Sequence, residues 1–208
     1  MTDTRLLEQG TDEWKAARLG HVSASNVAAV MSKTKDGGES ATRRTYKIKL
    51  VAERMTGLAQ ETYKNAAMEW GNEQEPFARM AYEASQNVLV AKTGFWKHPT
   101  KEWIGVSPDG LVGDDGLIEI KCPNTTTHLE YLWDEVVPTE YRKQIQMQLW
   151  VTGRQWCDFV SYDPRLPQKN QLFIKRCERD EDLIFAMAVE VEKFLDEIQA
   201  IIDKLKGA

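Results

Sequence analysis

Apolar and polar residues alternate with two distinct periods along this chain, and the period changes mark its elements. Around residues 117–121, Ile118 and Ile120 alternate with Glu119 and Lys121, the period of two expected of a β-strand with one face packed. From 180 to 206 apolar residues recur at helical spacing among charged ones, which predicts an amphipathic helix. Between these, the pattern predicts a helix at 11–20, with Thr11 as cap, Asp12 and Glu13 in its first turn and Gly20 ending it. Ser23 or Ser25 opens another helix through Val30. A Lys- and Gly-rich loop at 32–39 precedes a longer helix at 42–55, closed by Gly57. A further helix at 66–85 contains Pro76, which must either begin or kink it. Strands are predicted at 88–95, 103–107 and 117–121, then short helical turns and a helix at 139–151 with Thr139 as cap. Strands at 156–162 and 171–176 precede the last helix. The sum is an α/β fold, a central mixed β-sheet flanked by helices.

A length of 208 residues suits one α/β domain with a sizeable core. There is no internal repeat, low-complexity tract, long linker or run of bilayer length, and Met1-Thr2-Asp3-Thr4 lacks a signal peptide's character. These features lead us to expect a cytoplasmic protein with no membrane partner. Cys122, Cys157 and Cys177 are odd in number and lack metal spacing, so reduced, buried thiols are expected. His21, His98 and His128 stand apart, which argues against a zinc enzyme. Trp14, Trp70, Trp150 and Trp156 read as core residues rather than base-stacking platforms. The net charge of −5 argues mildly against nucleic acid as a partner. Its distribution argues the other way, since Lys33, Lys35, Arg43, Arg44, Lys47, Lys49 and Arg54 face only Asp36, Glu39 and Glu53 within one segment. That segment is either a solvated helix face or a wall facing DNA.

The candidate chemistry lies in Ser107-Pro108-Asp109-Gly110 and Leu117-Ile118-Glu119-Ile120-Lys121-Cys122-Pro123. The turn signal Gly113-Asp114-Asp115-Gly116 folds the two into a hairpin and brings Asp109 beside Glu119. Two carboxylates with an ammonium form a site for a hard divalent cation and an activated water. The plainer alternative is a set of solvated strand positions. A strand that otherwise reads as core disfavours it, because unpartnered buried charge is costly.

Pro-Asp followed by Glu-x-Lys is the signature of the PD-(D/E)xK nuclease superfamily. The chain resembles in particular its lambda-exonuclease-like, YqaJ-type viral recombinase family. Further blocks carry that resemblance in order: Glu8-Gln9-Gly10-Thr11-Asp12-Glu13-Trp14 running to Arg18-Leu19-Gly20, and Val22-Ser23-Ala24-Ser25. Trp70-Gly71 with Glu75, Tyr141 with Gln144-Ile145-Gln146 and Trp150, and Tyr162-Asp163-Pro164-Arg165 complete the set.

The resemblance implies a restriction-endonuclease-like core at about 66–180 within a single exonuclease domain spanning 1–208, followed by the C-terminal helix. It implies Asp109, Glu119 and the Ile120 backbone carbonyl as ligands for Mg²⁺, two ions in number, with Mn²⁺ able to substitute. Lys121 would position or deprotonate the nucleophilic water, its alternative being a simple ion pair with Glu119. Glu75 would support the metal or Lys121, and Gln144 would contact phosphate or water; each is otherwise a solvated helix residue. Gln148 shares the Gln144 face, whereas Gln146 points away. Arg18, Ser25, Ser107 and Gln144 would form a pocket for a terminal 5′-phosphate, with Ser25 alternatively a helix cap. Met68 is equally a wedge between terminal bases or a core residue, and Lys33 and Lys35 lie where the family's loop meets the minor groove.

The implied function is 5′→3′ digestion of linear double-stranded DNA by a phage or prophage exonuclease. It would release 5′-mononucleotides and leave 3′ overhangs for a single-strand annealing partner, acting as a homotrimeric ring. A restriction or repair endonuclease and a non-catalytic recombination scaffold are the alternatives.

Overall fold

The computed structural model describes residues 3–60 and 66–207. Met1 and Thr2, part of the N-terminal stretch read above, lie outside the described residues. Helix α1 (Asp12–Arg18) begins where Thr11 Oγ1 accepts the Trp14 N–H. Strand β1 (Val22–Ser23) leads through a 3-10 turn (Ala24–Asn26) into the short α2 (Val27–Val30). Helix α3 (Ala41–Thr56) is capped by Ser40 and closed by Gly57 at φ +70°. Helix α4 (Ala66–Gln86) carries Pro76 in its interior, so Pro76 does not begin it, and its ring removes one backbone donor there.

The strands form two sheets. The larger has the order β2 (Val90–Ala91), β5 (Gly110–Val112), β6 (Gly116–Lys121), β7 (Trp156–Tyr162), β8 (Leu172–Glu178), with only the β6–β7 pair parallel. Beside it, β4 (Ile104–Val106) lies between β1 and β3 (Trp96–Lys97). The mixed sheet expected from the sequence is present, and a second, three-stranded sheet accompanies it.

Of the strand predicted at 88–95 only Val90–Ala91 forms, in the larger sheet, and β3 of the smaller sheet begins just beyond it at Trp96. Gly94 and Phe95 donate instead to the Arg5 and Thr4 carbonyls, at 2.7 and 2.8 Å, so the N-terminal segment takes the place of a sheet neighbour. The stretch after β6 also differs from expectation. It forms a ten-residue helix, α5 (Thr125–Asp134), whose Asn124 side chain accepts the Thr127 N–H. Helix α6 (Thr139–Thr152) is capped by Pro138 without a side-chain bond, so Thr139 is its first residue rather than its cap.

The larger sheet buries both faces. Ala78 and Tyr82 of α4 pack on Ile118, Ile120 and Val160, while Tyr131, Ile145 and Leu149 of α5 and α6 pack on Leu117, Phe159 and Phe173. A third cluster joins the smaller sheet, α3, α6 and helix α7 (Glu181–Lys206), whose Met187, Val191, Phe194 and Ile198 are wholly buried. Trp70 and Trp156 pack against the α4 cluster and Trp150 against the third, as the sequence suggests. The three cysteines are free and buried. No described helix is long and apolar enough to cross a membrane.

Charges close the α3–α7 seam. Glu197 on α7 accepts from Arg43 Nη1 at 2.6 Å and Lys47 Nζ at 2.8 Å. The hydrogen bond from Arg43, helped by Lys47, holds the Glu197 carboxyl at about 2 instead of 4.5. A carboxyl depressed by folding stabilises above its unfolded pKa and loses that contribution as pH falls, here across about pH 4.5 to 2. Because Glu197 is partly exposed, Glu197→Gln should cost about 1–2 kcal/mol near neutrality and much less near the lower end of that window. Denaturant unfolding of both proteins at pH 7 and pH 3 measures this, and an equal loss at the two values would contradict it.

Candidate active site

Strands β5 and β6 make the site. Their register pairs Gly110 with Ile118, which sets Asp109 opposite Glu119 at the open end of the hairpin. Gly113 turns the hairpin at φ +54°, and Gly110 has no room for a side chain, since a Cβ there would lie 2.2 Å from Val90 and 2.7 Å from Arg79 Nη1. Asp109 Oδ2 accepts the Ile120 N–H at 2.7 Å, fixing the carboxylate beside the peptide between Glu119 and Lys121.

Glu119 is 1 % exposed and surrounded by donors. Lys121 Nζ and Gln144 Nε2 each lie 2.6 Å from Oε1, and Gln148 Nε2 lies 2.6 Å from Oε2. The strand period puts Glu119 and Lys121 on the face covered by α6, and α6 brings Gln144 and Gln148 to them one turn apart. The Lys121 ammonium sits 5.0 Å from the Tyr141 ring centroid. Glu75 on α4 is held by Arg79 Nη2 at 2.9 Å.

Burial raises the Asp109 carboxyl well above the ordinary range; the Glu119 charge adds to this, Lys121 opposes it, and Glu75 contributes further. Burial alone would lower the Lys121 ammonium, but Glu119 and Asp109 hold its pKa above the usual lysine value. Lys121 is thus a cation paired with Glu119, so the ion pair weighed from the sequence is formed. Burial, with Glu75 and Asp109, pushes the Cys122 thiol up to about 12, leaving it unreactive.

Among the described residues no three His, Cys, Asp or Glu groups form a ready cation cage. The donors nonetheless suit a hard divalent ion. The Glu119 charge raises the cost of ionising Asp109, and a cation between the two would relieve it. Asp109, Glu119 and the Ile120 carbonyl would hold such an ion, all through oxygen.

The other sequence-predicted residues fall into two groups. Arg18 lies 4.0 Å over the Trp14 ring, and Trp14 Nε1 donates to Ser107 Oγ at 3.0 Å, so Arg18 and Ser107 are joined through one indole next to Asp109. Gln9 Nε2 braces the same loop on the Pro108 carbonyl at 2.8 Å. Ser25 is exposed in the 3-10 turn that packs on α6, near Ser23 Oγ and Asn26, and it caps no helix. Met68, half exposed in the first turn of α4, is no core residue. No contact joins Lys33 or Lys35 to the carboxylates among the described residues.

Most of the basic segment also departs from a DNA-facing wall. Arg43, Lys47 and Lys33 pair with Glu197 and Glu190 of α7, and Arg54 donates to the Gly20 carbonyl over Trp103. Lys35 and Arg44 remain without an ion pair among the described residues. Gln148 is the residue that sequence reasoning left without a role; its signal is the i, i+4 spacing from Gln144 on a helix facing Glu119.

A mixed sheet covered by helices, with Asp, Glu and Lys converging at the end of one hairpin, defines a PD-(D/E)xK nuclease core. A profile of the YqaJ-like viral recombinase domain matches residues 13–155, and the chain belongs to that family. The fold is similar to that of an alkaline exonuclease, LHK-Exo, from Laribacter hongkongensis, with 50 % identity, coverage of 94 % of this chain and 96 % of that one, and a TM-score of 0.88. The complex of that protein with dAMP matches equally well. A phage-related exonuclease from Haemophilus somnus shares the fold, with 17 % identity over 89 % of this chain and 96 % of that one, and a TM-score of 0.73. An uncharacterised protein of Acanthamoeba polyphaga mimivirus is 30 % identical over 113 residues, 47 % of this chain and 20 % of that protein, so the chain spans a fifth of that relative's length.

Proposed function

We propose that this protein is a metal-dependent exonuclease that digests linear double-stranded DNA 5′→3′, releases 5′-mononucleotides and leaves 3′ overhangs for a single-strand annealing partner. The observation that carries the reading is Glu119, buried and bonded to Lys121, Gln144 and Gln148, with Asp109 directly across the hairpin. Membership of the viral recombinase family and the likeness to LHK-Exo support it.

In this reading Asp109, Glu119 and the Ile120 carbonyl hold Mg²⁺, two ions in number with Mn²⁺ as substitute. When bound, such ions supply an activated water and stabilise the leaving 3′-oxygen. Lys121 stays protonated between Glu119 and the scissile phosphate, orients the water and offsets the charge that develops there. Gln144 and Gln148 keep the Glu119 carboxylate in one orientation, and Glu75 on α4 supports the metal or Lys121. Arg18, Ser107, Ser25 and Gln144 take the terminal 5′-phosphate, with the Arg18 guanidinium held 4.0 Å over the Trp14 ring. Met68 wedges the terminal base pair, and Lys33 and Lys35 approach the minor groove. The single domain spans 1–208. The working form is a homotrimeric ring in the cytoplasm of a bacterial host, encoded by a phage or prophage.

The test sets linear duplexes with a 5′-phosphate or a 5′-hydroxyl beside covalently closed circles, all with Mg²⁺. Mononucleotides from the phosphorylated duplex and intact circles are expected. Arg18→Ala should slow digestion of 5′-phosphorylated ends by about 10²-fold while leaving non-specific binding nearly unchanged. Nicked or linearised circles would replace this reading with an endonuclease. Binding without cleavage in Mg²⁺ or Mn²⁺ would leave a scaffold. Equal effects of Arg18→Ala on phosphate and hydroxyl ends would remove Arg18 from the pocket.

A further inference from the structure

Strands β6 and β7 are parallel and end together, with Lys121 level with Ser161. The chain beyond each strand therefore lies at the mouth of the site. Beyond β7 come Asp163, wholly buried, and Arg165, whose side chain is 44 % exposed. Arg165 is held from three directions. Its Nε donates to Asp163 Oδ1 at 2.7 Å, its Nη2 donates to the Pro123 carbonyl at 3.0 Å, and its guanidinium lies 4.6 Å from the centroid of Trp70. Pro123 is two residues past Lys121, and Trp70 shares α4 with Glu75. Trp70 itself packs against the core, so the platform beneath the guanidinium is fixed.

This arrangement leaves one part of the group unused. Arg165 Nη1 donates to no protein atom among the described residues, although the rest of the fork is fully engaged. A planar cation fixed on an aromatic ring, with two N–H groups free at the rim of a carboxylate site, suits a phosphate oxygen. The Arg18 group reaches the site through Ser107 and Asp109, whereas Arg165 reaches it through Lys121 and Pro123. The two cations thus belong to separate approaches.

We infer that Arg165, seated on Trp70, binds a phosphodiester of the DNA strand lying across the site, distinct from the terminal phosphate assigned to Arg18. The inference rests on the exonuclease reading and adds a substrate-positioning residue to it. Asp163 and Pro123 hold the guanidinium in place, so only one oxygen is contacted, through Nη1.

The experiment is the salt dependence of DNA binding by the full chain, with Ca²⁺ replacing Mg²⁺, for wild type, Arg165→Ala, Arg165→Gln and Arg165→Lys. Losing one phosphate contact should make the log–log slope shallower by about 0.9 between roughly 50 and 200 mM salt. Affinity at the low end should fall about tenfold. Arg165→Lys should keep the wild-type slope, as it keeps the charge. Arg165→Gln retains a donor for Pro123 and serves if Arg165→Ala does not fold. Charge-removing variants with an unchanged slope, whatever happens to their stability, would overturn the inference and leave Arg165 as a brace for Asp163. Wild type that fails to bind DNA at all would instead overturn the exonuclease reading beneath it.

Discussion

Lys121→Ala should abolish cleavage, by about 10³-fold or more, while DNA binding changes by less than about tenfold. The asymmetry follows from where the ammonium sits. Its nitrogen is 2.6 Å from Glu119 Oε1 and its pKa is held high by Glu119 and Asp109, so it is a fixed positive charge inside a carboxylate pair. Removing it leaves Glu119 with two amide donors and no cation of its own, and leaves the scissile phosphate without a nearby donor. Contacts that tether DNA elsewhere, those assigned to Arg18 and Arg165, are untouched. Single-turnover cleavage and equilibrium binding measured on the same duplex separate the two effects. A variant that digests DNA near the wild-type rate would remove Lys121 from the chemistry, and one that loses binding in proportion would make it a tether.

How much of this was legible in the sequence depends on whether the partners are near in the chain. The hairpin is local: Gly113-Asp114-Asp115-Gly116 turns, Ile118 and Ile120 alternate with Glu119 and Lys121, and the register follows from the turn. The local pattern therefore brings Asp109, Glu119 and Lys121 together, and the structure has them side by side with Gln144 of α6. The misses depend on distant partners. Residues 88–95 read as one strand because nothing local reveals that Thr4 and Arg5 return to bond Gly94 and Phe95. The basic run 33–54 reads as an open face, solvated or turned to DNA, because Glu190 and Glu197, which pair with Lys33, Arg43 and Lys47, lie on a helix far along the chain.

Two misses were readable. Asn124 ahead of three threonines is a capping signal for α5, and Pro138 ahead of Thr139 displaces the cap by one residue. The mildly acidic total charge also misleads less once placed. Glu197 of α7 is bound to two α3 cations, and Glu190 and Glu192 to Lys33 and Lys101, so the net value says little about the surface that meets DNA.

Gln148→Leu should lower cleavage by about 10²-fold and destabilise the fold by about 1–3 kcal/mol. Gln148 is wholly buried, and its amide nitrogen is the one hydrogen-bond donor to Glu119 Oε2 among the described residues, at 2.6 Å. Leucine fills nearly the same space, so packing of α6 on β6 is kept and the loss is electrostatic. Without that donor the carboxylate holds one engaged and one bare buried oxygen, which leaves a buried acceptor unpaired and frees its orientation. A carboxylate with a free orientation is a weaker metal ligand. Part of the loss should therefore be recovered at higher Mg²⁺, because the cation supplies the missing partner. Gln148→Glu gives the sharper contrast. It replaces the amide donor by a second carboxyl that cannot donate to Glu119 as a carboxylate and repels it, and activity should fall further than with leucine. Metal titrations of cleavage by the two variants, normalised to folded protein, decide the matter. If Gln148→Leu cleaves at the wild-type rate, the amide is a packing residue and Lys121 with Gln144 suffices to orient Glu119.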